Sequence, residues 1–344
     1  MKITQRDFGQ GATLYSLKNE NGVQLEVTNF GARIVNLFVP TKKEKRNIVL
    51  GFDSVEEYLA QDMYIGATIG RVAGRIKDGT FTLGGQTYQT DKNDHELHTL
   101  HGGAPSFEAK LWDAKLEESE KKSTVIFSLK SKAGEHGFPG ELMVSVSYTL
   151  TEDNEWCVDY EAHTDQLTLF NPTNHVYFNL SGDVEQAIDD HKLFIDSDQF
   201  ACIDEAVITT GEKRSVTDTA FDFRKARKLE TSFNSQDDQV KAVGGFDHPF
   251  FLNKPSIEHV SAVLTSPDEA VQVEVLTDCP AVVVFTANFN GAGPVIRGKK
   301  LTDHGGITFE TQTAPGSERF EDFGTIEIQP NVPFRSTTIY KITE

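Results

Sequence analysis

Side chains that could exchange protons or bind hydroxyl groups concentrate in the run of residues 171–180. On an extended strand, Thr173, His175, Tyr177 and Asn179 would share one face. Such a face combines hydroxyl, imidazole and amide groups with an aromatic surface, and these are the groups that line a sugar pocket. A strand that faces solvent would carry similar residues, so the run by itself leaves both interpretations open.

A second candidate is a glutamate, Glu310, on the predicted strand Gly306–Gln312, where alternation puts it on one face with Thr308 and Gln312. An ionised carboxylate in aromatic surroundings could act as a general base. The alternative is an exposed glutamate on an edge strand. Asp247 could supply a second carboxylate to the same site, or it could belong to a turn before Pro249.

Three histidines at intervals of three, His95, His98 and His101, suggest a metal cluster at first sight. On a strand, however, His98 would point away from the other two. With no cysteine or carboxylate cluster to complete the ligand set, the sequence predicts no metal site. His101 is more suggestive, because it precedes Gly102-Gly103, where the backbone can approach a ligand closely.

Two arginines, Arg71 and Arg75, lie among glycines in the segment 70–76. The planar guanidinium group can bind hydroxyl oxygens or a carboxylate in a forked geometry. A solvated arginine in a loop is the more common case, so the segment needs support from other residues.

The elements that must position these side chains are short strands. Met143–Leu150 and Trp156–Tyr160 alternate on either side of turn residues, and Phe81–Leu83 and Gln86–Tyr88 flank Gly84-Gly85; both patterns indicate hairpins. Further strands are predicted at Gln24–Thr28, Val125–Leu129, Lys192–Ile195, Val271–Leu276, Val282–Thr286, Gly306–Gln312 and Thr337–Ile342, with short helices at Val55–Leu59 and Gln236–Val243. Many strands and few helices predict an all-β sandwich or barrel. Since no linker or repeat interrupts the chain, we expect one domain over 1–344.

The composition narrows the possible partners and the compartment. The 344 residues include 33 basic and 52 acidic side chains, a net charge of −19, which would repel a nucleic-acid backbone. Three scattered cysteines predict a reducing compartment. The first residues do not resemble a signal peptide, and no apolar run approaches the roughly 20 residues of a membrane helix. We therefore expect a cytoplasmic protein without nucleic-acid or membrane partners.

Several short motifs, taken together, resemble the galactose mutarotase (aldose 1-epimerase) family. The likeness covers essentially the whole chain. Each motif is weak alone, but their common order makes the resemblance specific. They are, in order, Gly51–Asp53 followed by Gly66–Ile76, then Leu100–Gly103, Asn174–Leu180, Asp247–Phe250 and Gly306–Glu310.

The resemblance implies a large antiparallel β-supersandwich and a cofactor-free isomerase that interconverts the α and β anomers of hexoses such as galactose and glucose. It implies that Glu310 is the base at the C1 hydroxyl and His175 the acid at the ring oxygen, protonated at the start. It further gives His101 a second contact to the ring oxygen. The matching positions for binding sugar hydroxyls are Arg75, Asp247 and Tyr177.

Two positions depart from the family pattern, and other functions stay open. Gly74 stands where many relatives have asparagine, and Val283 where some have glutamine, so the preferred sugar is not fixed. The alternatives are a maltose-type epimerase, a glycoside hydrolase that uses Asp247 and Glu310, and a non-catalytic sugar-binding β-sandwich. The oligomeric state is also open, with a homodimer as one alternative.

Overall fold

The computed structural model describes residues 1–343 and consists mainly of strands. Every pair of hydrogen-bonded strands among them is antiparallel. Numbered in chain order, the strands are β1 (Ile3–Gly9), β2 (Ala12–Lys18), β3 (Gln24–Thr28), β4 (Arg33–Pro40), β5 (Lys45–Asn47), β6 (Thr68–Ile69), β7 (Arg75–Ile76), β8 (Thr80–Leu83), β9 (Gln86–Gln89), β10 (Thr99–Leu100), β11 (Asp113–Glu118), β12 (Lys122–Ser131), β13 (Leu142–Thr151), β14 (Glu155–Thr164), β15 (Thr168–Leu169), β16 (Thr173–Asn174), β17 (Tyr177–Phe178), β18 (Lys192–Ile195), β19 (Ser197–Ile203), β20 (Thr209–Ser215), β21 (Arg227–Lys228), β22 (Asp247–Leu252), β23 (Ser256–Thr265), β24 (Gln272–Thr277), β25 (Ala281–Phe285), β26 (Val295–Ile296), β27 (Lys299–Lys300), β28 (Ile307–Thr308), β29 (Glu310–Gln312), β30 (Glu327–Ile328) and β31 (Phe334–Thr343).

Helices are few and short in the described residues. They are α1 (Val55–Gln61), α2 (Glu230–Phe233) and α3 (Asp238–Val243), with 3-10 turns at Lys77–Gly79, Phe107–Ala109, Glu135–Gly137 and Glu321–Phe323. The side chain of Ser54 caps α1 by accepting a hydrogen bond from the backbone N–H of Glu57. None of the helices within residues 1–343 has the length and apolar character needed to cross a membrane.

The largest sheet has nine strands in the order β11-β12-β13-β14-β31-β24-β23-β18-β21. Burial alternates along its central strands, because successive side chains point to opposite faces and only one face is covered. Two five-stranded sheets, β1-β2-β3-β4-β5 and β20-β19-β22-β25-β29, accompany it. Buried side chains of all three sheets, such as Val27, Val146 and Phe250, belong to one continuous hydrophobic cluster. This packing of sheet faces is a β-sandwich.

The predicted all-β class and the two predicted hairpins are confirmed. In the hairpin β13–β14, Leu150 pairs with Trp156, and the two-residue turn of β8–β9 has positive φ at both Gly84 and Gly85. The main hydrophobic cluster draws on residues from Tyr15 to Ile342. That extent is compatible with the single domain predicted from the sequence, which stays a prediction.

Candidate active site

One cavity of about 190 Å³ receives side chains from strands that are far apart in the sequence. The six side chains to which the family resemblance gives a role all line it: Arg75, His101, His175, Tyr177, Asp247 and Glu310. The chain therefore brings together residues that are as much as 235 positions apart, counted from Arg75 to Glu310. The geometry of each side chain decides what chemistry the cavity can support.

The closest acid–base pair in the cavity is His175 with Glu310. Their Nε2 and Oε1 atoms lie 3.3 Å apart, and both side chains are almost fully buried. Glu310 begins β29, the edge strand of its sheet, but it is not the exposed glutamate of the alternative interpretation, because only 3% of its surface is accessible. The hydroxyl of Thr308 donates a hydrogen bond of 3.1 Å to the same carboxylate oxygen, Oε1.

Burial changes the proton affinity of both members of this pair. It raises the pKa of Glu310 to about 8, with a further rise from the negative charge of Asp247, while the Thr308 hydroxyl and Arg75 act in the opposite direction. Burial also lowers the pKa of His175 to about 3. At neutral pH these shifts favour the protonated form of Glu310 and the neutral form of His175.

His101 is held in one tautomer by its neighbours. The backbone N–H of Gly74 donates to its Nδ1 at 3.2 Å, so in the neutral ring the proton must lie on Nε2. Burial lowers the pKa of His101 well below its ordinary value, and the nearby His175 and Arg75 add to this effect. The His101 ring packs edge-to-face against Tyr64 and His175, with centroids 4.5 and 5.3 Å away. It is therefore a neutral, oriented N–H donor.

Arg75 lies between two carboxylates. Its Nε donates to Asp94 Oδ2 at 2.8 Å, and its NH1 lies 3.9 Å from Asp247 Oδ2. Asp94 thus fixes the guanidinium plane and leaves NH1 directed toward Asp247. Burial raises the pKa of Asp247, and Arg75 partly offsets that rise. A cation and a carboxylate side by side can donate to one hydroxyl group of a sugar and accept from the next.

The rest of the cavity wall is mainly apolar and aromatic. The hydroxyl of Tyr177 donates to the backbone carbonyl of Met63, so this tyrosine presents its ring to the cavity. Tyr64, Phe285 and Phe289 add further ring surface. An aromatic wall with a few convergent polar groups is the usual composition of a small-molecule site.

Three other candidates from the sequence, Arg71, Thr173 and Asn179, stabilise the fold and do not line the cavity. Arg71 is buried and donates hydrogen bonds to the backbone carbonyls of Ser131, Lys132 and Pro139, so it anchors loops and binds nothing in the cavity. The side chains of Thr173 and Asn179 bond to neighbouring backbone carbonyls. The predicted polar face therefore supplies the cavity with only His175 and Tyr177.

The three histidines of the segment 95–101 do not converge. The side chain of His95 is 91% exposed, and His98 accepts a hydrogen bond from the backbone N–H of Asp78. Only His101 reaches the cavity. Across residues 1–343, no group of three or more histidine, cysteine, aspartate or glutamate side chains has an arrangement that could hold a metal ion.

Sequence reasoning missed Asp94 and Tyr64. Asp94 directly precedes His95 in a polar loop, and nothing local indicates that its carboxylate reaches Arg75 across the β7–β10 pair. Tyr64 follows α1 and contacts His101 only through the fold. The one available signal for Asp94 was that Arg75 needs an acidic partner.

Comparison of the sequence with known proteins gives consistent matches. A sequence model of the family described as Aldose 1-epimerase matches residues 13–341. The chain is 34% identical to the aldose 1-epimerase of Escherichia coli (strain K12) over 337 residues, covering 97% of this chain and 96% of that protein. It is 35% identical to the galactose mutarotase of Homo sapiens over 348 residues, covering 99% and 98% of the two chains.

Solved structures agree with the sequence matches. A crystal structure described as galactose 1-epimerase from Lactobacillus acidophilus aligns with a TM-score of 0.87 at 31% identity, covering 100% of this chain and 98% of that chain. A GalM/aldose epimerase homologue from C. elegans aligns with a TM-score of 0.88 at 26% identity, covering 97% and 99%. These matches favour the epimerase interpretation over the hydrolase and the carbohydrate-binding alternatives.

Proposed function

Because this chain belongs to the aldose 1-epimerase family, and is thus an isomerase that acts on carbohydrates, we propose that it interconverts the α and β anomers of galactose and glucose. In this proposal Glu310 and His175 carry out the proton transfers. The observation that carries the proposal is the buried contact of 3.3 Å between His175 Nε2 and Glu310 Oε1 in the cavity.

The chemistry of anomer exchange explains why acid and base should be so close. The C1 hydroxyl must lose a proton while the ring oxygen gains one, and both oxygens are bonded to the same carbon. Glu310 takes the proton from the C1 hydroxyl, and His175 gives one to the ring oxygen. The C1–O5 bond breaks, the aldehyde turns about the C1–C2 bond, and closure on the other face returns both protons.

The number of protons on the pair is the same in the arrangement that the pKa shifts favour and in this starting state. Burial favours neutral His175 with protonated Glu310, whereas the reaction starts from protonated His175 with ionised Glu310. The two arrangements differ only by moving one proton across the 3.3 Å contact. Sugar hydroxyl groups that donate to the carboxylate would stabilise its ionised form and so favour the reactive arrangement.

The other cavity residues bind and orient the sugar in this scheme. His101, with its proton on Nε2, donates to the ring oxygen and stabilises the charge that develops there. Arg75 and Asp247 bind ring hydroxyl groups as donor and acceptor. Tyr177 contributes its ring surface, because its hydroxyl already donates to Met63.

Polarimetry on freshly dissolved α-galactose, α-glucose and α-maltose tests the activity, and two variants test the roles. Glu310→Gln keeps the shape and hydrogen bonding of the side chain but cannot take the C1 proton. His175→Asn keeps polarity and loses the transferable proton. Each should lower kcat by about 10²-fold or more, while galactose affinity measured by calorimetry changes far less. The double variant should be less impaired than the product of the two single effects.

A matched histidine–glutamate pair on the protein surface provides the control. His163 Nε2 lies 2.9 Å from Glu161 Oε1, and both side chains are exposed. His163→Asn and Glu161→Gln should retain the wild-type rate. If Glu310→Gln or His175→Asn kept near wild-type mutarotation, the role given to that residue would be wrong.

A further inference from the structure

Gln312 is a cavity residue to which the proposed mechanism gives no task. It lies two positions after Glu310 on β29, on the same face of the strand, and only 1% of its surface is accessible. Its Oε1 accepts a hydrogen bond from Asn171 Nδ2 at 3.2 Å, but its Nε2 has no hydrogen-bond partner in the described part of the chain. A buried donor without a partner is costly, so it calls for an explanation.

The orientation of the Gln312 amide follows from its neighbour. Asn171 Oδ1 accepts from the backbone N–H of Thr313 at 3.0 Å, and Asn171 Nδ2 donates to the Thr313 carbonyl at 2.9 Å. These two bonds fix which end of the Asn171 amide is the donor. Asn171 therefore presents an N–H group to Gln312, and the side-chain oxygen of Gln312 must accept the hydrogen bond. The free end of Gln312 is consequently an NH₂ group.

Three other residues that line the same cavity contribute no polar side chain. At Gly74, where φ is +76°, an added Cβ would lie 2.5 Å from the Cγ atom of Pro315, so no side chain fits there without a shift. Val283, opposite Glu310 in the β25–β29 pair, is apolar. We call Gly74, Val283 and Pro315 the apolar wall; all three line the cavity together with Gln312.

We propose that Gln312 is a specificity residue whose Nε2 donates a hydrogen bond to one hydroxyl oxygen of the sugar beside the apolar wall. This inference rests on the proposed function. Sugar binding would then satisfy a donor that has no partner within the described part of the protein. A sugar that lacks this hydroxyl group leaves the amide buried and unpaired, and a site of this kind discriminates strongly against such an analogue.

Deoxy sugars test the inference directly. Mutarotation of galactose is compared with that of its 2-, 3-, 4- and 6-deoxy analogues, using wild type and Gln312→Met, which keeps the side-chain length and removes the amide. With wild type, the analogue that lacks the hydroxyl bonded to Gln312 should lose about 10-fold or more in kcat/KM, besides the losses on analogues that lack a hydroxyl bonded to Arg75 or Asp247. Gln312→Met should lose about 10-fold on galactose and show no further loss on that one analogue, as expected when the two changes remove the same contact.

Thr311→Val is the matched control on the same strand. Thr311 points away from the cavity, toward Thr338, so any loss in this variant should be equal for all five sugars. Discrimination that persists unchanged in Gln312→Met, or wild-type rates that are equal on every analogue, would overturn the proposal. The wild-type rate on galactose tests the proposed function separately, so the two can fail independently.

A crystal structure of the wild-type protein with galactose keeps the proposal testable even if Gln312→Met does not fold. A sugar hydroxyl oxygen within hydrogen-bond distance of Gln312 Nε2 supports it. Gln312 also borders a second cavity beside Asn171 and Asp278. A water molecule in that cavity, bonded to Nε2 both with and without the sugar, would contradict it.

Discussion

At the scale of single residues, the shared proton of His175 and Glu310 sets the expected pH dependence. The pair holds one proton between the pKa of His175, about 3, and that of Glu310, about 8. Below this window His175 and Glu310 are both protonated, and above it the pair has lost its only proton. We expect kcat/KM to be bell-shaped, with limbs that belong to the pair as a unit. Rates measured across this range, after subtraction of the uncatalysed rate, give the two limbs.

Thr308 offers a test of which residue the alkaline limb reports. Its hydroxyl stabilises the ionised form of Glu310, so removing the hydroxyl should raise the pKa of Glu310 further. Thr308→Val should therefore move the alkaline limb to higher pH, and Thr308→Ser should restore it. Thr82→Val, on the exposed β8 hairpin, is the control. An alkaline limb that stays in place in Thr308→Val would mean that it does not belong to Glu310.

At the scale of elements, the β19–β20 hairpin positions a valine in an unfavourable backbone conformation. Val207 lines the cavity with φ of +61°, a conformation that β-branched residues rarely adopt. Hydrogen bonds of the turn hold Val207 in this conformation. Asp204 Oδ1 accepts from the N–H groups of Ala206 and Ile208, and the Asp204 carbonyl accepts from the N–H of Val207. Strain held in this way is often found where a side chain serves binding.

Val207→Asn should therefore stabilise the protein while weakening catalysis. Asparagine tolerates positive φ, so we expect the free energy of unfolding to rise by about 1 kcal/mol. Because Val207 lines the cavity, replacing its apolar side chain with a polar one should raise KM with little change in kcat. Urea unfolding and polarimetry on the same samples measure both. The control is Val332→Asn, at an exposed valine, which should change neither the free energy of unfolding nor KM. A variant that is no more stable than wild type would argue against strain at Val207.

The sequence predicts local elements but not the contacts between them. The β13–β14 and β8–β9 hairpins were predictable because alternation and turn residues are local signals. The family resemblance pointed to Glu310, His175 and four further residues that line the cavity. The partnership of Arg75 with Asp94, the locked tautomer of His101 and the structural role of Arg71 depend on contacts across the fold, for which a local pattern carries no signal.

At the scale of the whole molecule, buried neutral histidines make stability depend on pH. Burial lowers the pKa of His191 to about 4 and that of His248 to about 3, whereas an unfolded histidine has a pKa of about 6.5. As the pH falls below about 6.5, these histidines therefore bind protons in the unfolded chain but stay neutral in the folded protein. Each such histidine contributes stability above this pH, and the contribution is lost as the pH falls toward the folded pKa.

His248→Asn isolates one of these contributions. The variant keeps an acceptor for the N–H of Asp247 but has no group to titrate. Its free energy of unfolding should be lower than that of wild type at neutral pH, because packing against Phe200 and Phe221 is lost. The difference should shrink by about 1.4 kcal/mol per pH unit below about pH 6. Urea unfolding at several pH values checks this, with exposed His163→Asn as the control. A difference that does not change with pH would contradict the neutral state of His248.

The position of β31 has a consequence for how the protein is made. This strand, Phe334–Thr343, lies in the interior of the nine-stranded sheet, paired with β14 on one side and β24 on the other. On the ribosome, β14 is made some 170 residues before β31. It can pair with β13 at once, but its backbone N–H and C=O groups on the β31 side stay unpaired for that time. Contacts so distant in sequence slow folding and leave open strand edges that other chains can pair with. The nascent chain is therefore expected to need protection until its last long strand has emerged.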